Sequence, residues 1–484
     1  MESNGETLST QVIKSGFWVF SFRAIIRILG LIKLMILARL LSPADFGIMG
    51  LALAITEALE TFSQPDFQQA LIQKKERIDV YLDSTWTFLI FRRAILFIIL
   101  ILIAPYLAQF FNIPGSQSVF QVIAITQIIQ AFSNIGIVFF HKELHFKKQF
   151  SYEVAGSLAN FIVAVIVAFF LRNVWALILG LLAGNLAKSI LSYKLHPWRP
   201  HFCFNFSRIK ELWEFGKWLM GRNMLVFFIS NGDSVIIGKI LGSTQLGFYQ
   251  MASNIANLPS TEITQVSTMV TFPAYSKLQD NLERVKEAYF KVLHFIAFIS
   301  TPIAGAIYLF AFDFTRIFLG DKWLPVVPII QVLVFAGLIR SLGETAGPIF
   351  YSLGKTKIVA FYQVIRLVVL AAVIFPLTIA WGIKGTAIAV LVNIIIANAV
   401  YIIMCNHALK CGYTQFGKII IVPLFATIVT NILIWITIYY ITINLLTFIM
   451  LTIFYVIIYC FILYLLRDYY DSSRFILLKH LLFR

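Results

Sequence analysis

Long polar segments are almost absent from this chain of 484 residues. Hydrophobic residues make up 60% of it and the mean hydropathy is +0.85, which excludes an ordinary soluble protein. The chain also lacks a soluble basic domain, so we interpret its net charge of +16 as a signal of membrane topology and expect no nucleic-acid partner. The composition predicts a single polytopic membrane domain.

Cysteine is scarce, and the motifs of enzymes are missing. Cys203, Cys405, Cys411 and Cys460 form no CxxC pair, which argues against disulfides and cysteine-bound metal. The run Gly354-Lys355-Thr356 resembles the end of a phosphate-binding loop, but the first glycine of that motif is missing. We find no catalytic triad and no metal-binding set. We therefore expect no enzymatic activity, no catalytic residue, no metal and no cofactor.

Apolar runs of about 20 residues recur along the chain, and each is long enough to cross a bilayer. They predict an all-α membrane protein with about fourteen transmembrane helices. Their approximate spans are 16–38, 47–64, 84–111, 118–140, 151–171, 174–193, 215–241, 247–268, 289–311, 325–351, 358–380, 385–404, 419–441 and 447–466. Most lysines and arginines between these helices fall on one side. The other side holds only Arg39, Arg172, Lys239, Arg316, Lys322 and Lys384. Because positive loops stay inside, both termini are predicted to be cytoplasmic.

Two halves of the sequence resemble each other. The segment Ile36–Gly47 aligns without a gap with Ile236–Gly247, and both keep a helix end, a basic residue, a short polar turn, a bulky apolar residue and a glycine. Apolar helices also resemble one another by composition, but here the polar turns match as well. Parallel repeats of this kind occur in transporters. They predict an N-terminal lobe of six helices in 1–211, a second lobe of six in 212–406, and two added helices with a basic tail in 407–484.

Arginines inside the predicted helices are the candidate substrate-binding residues. They are Arg23, Arg27, Arg222, Arg340 and Arg366. A cation facing lipid costs about 2.5–3.5 kcal/mol, so these side chains are expected to face a wet or protein-lined interior. Arg23 and Arg27 lie one turn apart and form the best pair, although ion pairs with Glu57 or Glu60 are an alternative. Lys33 and Arg222 could snorkel outward, and Arg340 could pair locally with Glu344.

Acidic residues at membrane depth are candidate sites for coupling to H⁺ or Na⁺. Asp233 is the most suggestive, because Asn231-Gly232-Asp233 interrupts an apolar run and broken helices mark binding sites in transporters. Glu57 and Glu60 in the second helix are further candidates. The alternative for Asp233 is a kinked helix in which this carboxylate pairs with an arginine.

Several runs resemble the bacterial Wzx-type oligosaccharide-lipid flippases, most closely the colanic-acid type. They are Leu37–Gly47, Ala70–Glu76, Phe272–Asp280 and Leu319–Trp323. One departure is Asp66-Phe67, where many relatives carry a glycine after the aspartate. The resemblance implies the MATE-like fold of the multidrug/oligosaccharidyl-lipid/polysaccharide (MOP) superfamily, with two six-helix lobes around a central cavity that opens alternately to each side.

The same resemblance implies a function in surface polysaccharide assembly. An undecaprenyl-pyrophosphate-linked oligosaccharide would cross the bacterial inner membrane, with membrane lipid around the protein and a polymerase and glycosyltransferases as partners. Arginine suits the phosphates, because its fork donates two hydrogen bonds and stays charged when partly buried. A cation-coupled multidrug exporter of the same fold is the alternative, but it would need an acidic cavity. An enzyme such as a polymerase usually needs a larger loop outside the membrane than any found here.

Overall fold

The computed structural model describes residues 8–64, 67, 70–71, 78–143, 145–258, 271–272 and 274–466. The end of the predicted span 247–268, the motif residues 72–76 and the basic tail 467–484 lie outside these ranges. Within them the protein is helical, without a β-strand. The longer helices are α1 (Leu8–Leu40), α2 (Pro43–Ser63), α3 (Asp79–Phe110), α4 (Gln117–Ala131), α5 (Phe146–Leu171), α6 (Trp175–Leu195), α7 (Phe206–Ile240), α8 (Ser243–Ala256), α9 (Leu282–Phe314), α10 (Val327–Gly343), α11 (Thr356–Leu409), α12 (Tyr413–Tyr440) and α13 (Leu445–Leu465).

Nine helical segments in this described part are long and apolar enough to cross a membrane. One of them, α11, is a hairpin of two helices. Gly382 leaves the helical conformation (φ 60°, ψ −141°), and the hydroxyl oxygens of Thr378 and Thr386 lie 2.8 Å apart. Eight residues of straight helix would span about 12 Å, so the chain must reverse at Gly382. This reversal falls between the predicted spans 358–380 and 385–404.

The predicted span 118–140 is not one helix. The helix α4 ends at Ala131, and the side chain of Asn134 then accepts a hydrogen bond from the Gly136 N–H at 2.8 Å and donates one to the Trp198 carbonyl at 2.8 Å. These bonds stabilise a 3₁₀ turn (Ile135–Ile137) that leads into a short helix. The all-helical class is confirmed, whereas the count of fourteen membrane helices stays a prediction.

Contacts divide the chain into two compact units, Met1–Gly247 and Phe248–Arg484. Helix α7 packs against α2 and α3 and so belongs to the first unit by contact, although the repeat predicts it as the first helix of the second lobe. The lobes 1–211, 212–406 and 407–484 therefore stay a prediction about the repeat.

The two aligned segments of the repeat touch each other within the first unit. A Cβ atom at Gly47 would collide with the Ser243 carbonyl oxygen, and one at Gly247 would collide with the Pro43 carbonyl oxygen. Pro43 and Ser243 are equivalent positions of the alignment, so the contact is reciprocal. The first turns of α2 and α8 meet where a residue larger than glycine has no space.

Small residues also bring α5 and α6 together, as is common between membrane helices. Gly180 packs against Ala164, and Gly184 packs against the Gly156 carbonyl oxygen. On the other side of this contact, Gly156 leaves room for the side chain of Lys188. The helix pair thereby places polar side chains of both helices side by side.

In the second unit, α12 and α13 pack onto α9. Gly305 of α9 lies against the side chains of Thr427 and Tyr455, and the Tyr459 hydroxyl donates a hydrogen bond to the Phe298 carbonyl at 2.9 Å. These contacts hold α12 and α13, the two added helices, against α9.

Candidate functional site

Helices α10 and α11 bring two predicted arginines, Arg340 and Arg366, within electrostatic range of each other. Arg340 donates to the Asn257 side-chain oxygen at 3.3 Å, and Arg366 donates to that of Gln363 at 3.4 Å. Within the described residues, neither guanidinium lies at ion-pair distance from a carboxylate. The local pair of Arg340 with Glu344, one of two alternatives from the sequence, is therefore not formed.

Packing explains the position of each arginine. Gly337, one turn before Arg340, lies against the Ala256 carbonyl oxygen, which brings Asn257 beside α10. The Arg366 guanidinium lies 5.6 Å from the ring centroid of Tyr362, and the Tyr362 ring stacks on Tyr401 at 4.1 Å. The Tyr362 hydroxyl also donates to Asn398 at 3.3 Å. Both arginines are half-buried.

Helix α1 carries the other predicted pair. Arg23 and Arg27 are half-buried and lie one turn apart. Further along α1, the Lys33 ammonium donates to the Asn160 side-chain oxygen at 3.1 Å. Lys33 therefore points into the first unit, and the expectation that it snorkels outward is wrong.

The acidic candidates contact amide or hydroxyl groups. Glu60 accepts a hydrogen bond from the Gln127 side chain at 2.8 Å, and Glu57 lies near the Asn231 side chain. The Glu60 contact ties α2 to α4, and an ion pair of Glu57 or Glu60 with the α1 arginines stays an alternative. Asp233 accepts a hydrogen bond from the Ser234 N–H at 2.7 Å. Helix α7 is continuous through Asp233, so the predicted break there is wrong.

Arg222 lies deeper in its helix than predicted. Helix α7 begins at Phe206 rather than near residue 215, which places Arg222 about four turns from the start. The side chain is exposed. An exposed side chain is compatible with snorkelling, so this alternative and the substrate-binding role both stay open for Arg222.

Two arginines of α3 were missed by the sequence analysis. Arg92 is buried and donates to Ser63 at 2.9 Å and to Gln64 at 3.0 Å, which ties α3 to the end of α2. Arg93 is half-buried and donates to the Gln130 side-chain oxygen at 2.6 Å. Both stand inside the predicted span 84–111, so the criterion of charge at membrane depth already pointed to them.

Most of these embedded cations donate hydrogen bonds to neutral oxygens. This holds for Lys33, Arg92, Arg93, Arg340 and Arg366. Their positive charge is not cancelled by an ion pair, and charge interactions are strong where water is scarce. The arrangement favours anions. In the described part of the chain, no three His, Cys, Asp or Glu side chains are grouped to hold a metal ion.

Comparison with known proteins identifies the family. Residues 36–328 match the family model described as polysaccharide biosynthesis protein. The chain belongs to this family. It is 24% identical to the lipopolysaccharide biosynthesis protein WzxC of Escherichia coli K12, over 88% of this chain and 87% of that one. It is 21% identical to the teichuronic acid biosynthesis protein TuaB of Bacillus subtilis, over 88% of this chain and 89% of that one.

Solved structures identify the fold of this polysaccharide biosynthesis protein. The lipid II flippase MurJ in an inward closed conformation superimposes with a TM-score of 0.75 at 14% identity, over 93% of this chain and 99% of that one. A multidrug resistance MATE family transporter of the MOP superfamily gives 0.62 at 16% identity, over 80% and 94%. The predicted MOP fold and the resemblance to the Wzx type are confirmed. The relatives and solved structures include a succinoglycan biosynthesis transport protein of Rhizobium meliloti and the flippase, which agrees with the prediction of a transport protein and not an enzyme.

Proposed function

We propose that this protein is a flippase that moves an undecaprenyl-pyrophosphate-linked oligosaccharide across the bacterial inner membrane by alternating access. The oligosaccharide would serve the assembly of a surface polysaccharide, and both termini of the flippase would be cytoplasmic. The observation that carries this proposal is the pair Arg340 and Arg366. These two cations lie within electrostatic range of each other and donate to neutral acceptors, and Glu344 is in range of Arg340 without an ion pair. A pyrophosphate bound beside them would relieve their repulsion and accept charge-assisted hydrogen bonds from both forks. Arg23, Arg27 and Arg222 of the first unit stay candidate substrate-binding residues from the sequence.

The alternative, a cation-coupled multidrug exporter, has weaker support. A cationic drug would be repelled by Arg340 and Arg366. The first unit also holds embedded arginines that donate to neutral oxygens, Arg92 and Arg93. The names of the relatives, which refer to lipopolysaccharide and teichuronic acid, also favour a glycan substrate.

The sidedness of the lipid-linked glycan tests this function. In cells that lack the protein, we expect the glycan to accumulate on the cytoplasmic leaflet, and the wild-type chain should clear it. Arg340→Gln combined with Arg366→Gln should leave it there, because two neutral amides cannot replace the charge on the pyrophosphate. The control is Arg284→Gln with Arg316→Gln, which removes two exposed charges. Normal clearance by the first double variant, at equal membrane levels, would contradict the proposal.

A further inference from the structure

A second polar surface, separate in sequence from the predicted arginines, lies within the first unit. Arg93 of α3 donates to Gln130 of α4 at 2.6 Å, and Gln130 donates through its Nε2 to the side-chain oxygen of Asn185 of α6 at 3.4 Å. All three side chains are half-buried. Glu60 is within electrostatic range of Arg93 but forms no ion pair with it, and its Oε1 accepts from Gln127.

The surface continues by one turn of α6 to Lys188. The Lys188 stem lies against Gly156, and this places its ammonium 2.6 Å from Glu153 and 5.4 Å from the ring centroid of Tyr152. Tyr152 is in turn within electrostatic range of Arg93, so the two groups of side chains are neighbours. Lys188 and Glu153 are each 30% exposed, which leaves both in reach of a ligand.

The chemistry of this surface differs from that of a phosphate site. Amide groups, a phenol and an aromatic ring are the groups that contact sugar hydroxyls and ring faces in binding sites. The charges of Lys188 and Glu153 cancel at 2.6 Å. Arg92, which is within electrostatic range of Arg93, is buried and uses its fork on Ser63 and Gln64. Arg93 is therefore the half-buried cation of this surface whose fork can match one carboxylate. A pyrophosphate would call for two or more cations, which is what Arg340 and Arg366 provide.

We propose that Arg93, Gln130, Asn185 and Lys188 bind an acidic sugar, a pyranose that carries a carboxylate such as a hexuronic acid, within the transported oligosaccharide. This proposal rests on the proposed function and specifies its substrate class. Arg93 selects the carboxylate, and the two amides and the Lys188–Glu153 pair hold the neighbouring hydroxyls.

Two disaccharides test this directly on the purified full-length chain. Cellobiouronic acid and cellobiose differ only at carbon 6 of one ring, which is a carboxylate in the first and a hydroxymethyl group in the second. We expect the wild type to bind the acid about tenfold more tightly, the value of one charge-assisted hydrogen bond. Arg93→Gln should abolish this preference, measured as the ratio of the two affinities, and Arg93→Lys should retain part of it. Equal binding of the two probes by the wild type, or binding of neither, would overturn the proposal.

Salt and pyrophosphate provide the controls. Added NaCl should weaken the binding of the acid to the wild type but not that of cellobiose, because only the first contact is between charges, and this measurement needs no folded variant. The binding of inorganic pyrophosphate should depend on Arg340 and Arg366 and not on Arg93. If Arg93→Gln weakened the binding of pyrophosphate as strongly as that of the acid, Arg93 would belong to the phosphate site and the proposal would be wrong. If instead the sugar preference held but the Arg340/Arg366 variant cleared glycan normally, only the proposed function would fail.

Discussion

At the scale of the residue, His196 shows how one side chain stabilises a connection between helices. It follows α6 directly, and its ring stacks on Phe139 at 5.2 Å with an angle of 3° between the planes. Its Nδ1 atom accepts a hydrogen bond from the Trp198 N–H at 3.2 Å, and the ring fills the space that Gly136 leaves. An accepting Nδ1 carries no proton, so the contact requires the neutral imidazole.

Acidification should therefore weaken this connection. Burial, then Lys148, lower the pKa of His196 from 6.5, Arg199 acts in the same direction, and Glu143 and Asp79 oppose them. Because the unfolded chain then binds more protons, stability is full above about pH 6.5 and falls as the pH drops towards the lowered folded value. We expect the melting temperature of the wild type to fall more between about pH 7.5 and about pH 5.5 than that of His196→Phe, which keeps the stacked ring. Equal falls for the two proteins would contradict this.

The depth of single charges could be predicted from the sequence, but their partners could not. Arg340 was found because it stands in an apolar run, yet its acceptor Asn257 lies 83 residues away in the chain. Hydropathy gives no information on such a pairing. The nearer partner Glu344, at one turn, was the natural local candidate, but α10 ends there and Glu344 becomes its cap. Arg93 carries the same sequence signal, because it also stands in an apolar run.

At the scale of the element, the turn before α2 combines a cap with a close contact. Ser42 accepts from the Asp45 N–H while Asp45 accepts from the Ser42 N–H, so both ends of this capping box are satisfied. One turn later, Gly47 meets the backbone of Ser243 at the start of α8. The repeat could be detected from the sequence because this polar turn and its glycine recur together.

A methyl group at this contact should be costly. In Gly47→Ala the new Cβ would overlap the Ser243 carbonyl oxygen, a backbone atom that cannot move unless the helices separate. Overpacking of this kind costs about 1–3 kcal/mol, so we expect a lower melting temperature and less folded protein. Gly30→Ala in α1 is the matched control, because nothing lies within 4 Å of its Cβ position, and alanine favours a helix by about 1 kcal/mol. The two changes should therefore have opposite signs in a thermal unfolding measurement, and a stable Gly47→Ala protein would show that the contact is dispensable.

The sequence predicts a helix boundary where an apolar run ends at that boundary. It does not predict a boundary that lies in a polar stretch or inside an apolar run. The predicted span 215–241 missed the first two turns of α7, because Arg208 and Lys210 make that stretch polar although it is helical. The span 118–140 was predicted as unbroken because the bond that ends it, from Asn134 to Trp198, joins positions 64 residues apart. Local periodicity carries no signal for such a bond.

At the scale of the whole molecule, embedded positive charge is the property common to both units. The first unit holds Lys33, Arg92 and Arg93, and the second holds Arg340 and Arg366, each bonded to neutral oxygens. The sequence predicted a basic interior from the arginines that stand inside apolar runs. It could not predict that α7 packs with α2 and α3, because that grouping depends on contacts between distant segments.

The membrane potential should set the direction of transport. An anionic headgroup that moves outward gains about 2.3 kcal/mol per charge per 100 mV from an inside-negative potential. We therefore expect valinomycin with external K⁺, which collapses the potential, to raise the fraction of lipid-linked glycan on the cytoplasmic leaflet of cells that carry the wild-type protein. Nigericin, which collapses the pH gradient, should have little effect.

The opposite result would identify proton coupling. Glu57 is the acidic candidate for it, because it lies in α2 near the Asn231 side chain, whereas Glu60 lies within electrostatic range of Arg92 and Arg93. If nigericin alone blocked clearance of the glycan, and Glu57→Gln removed the response to nigericin, then transport would be driven by H⁺ through Glu57 and not by the charge of the headgroup. Cells without the protein, which clear no glycan under either ionophore, provide the baseline for both measurements.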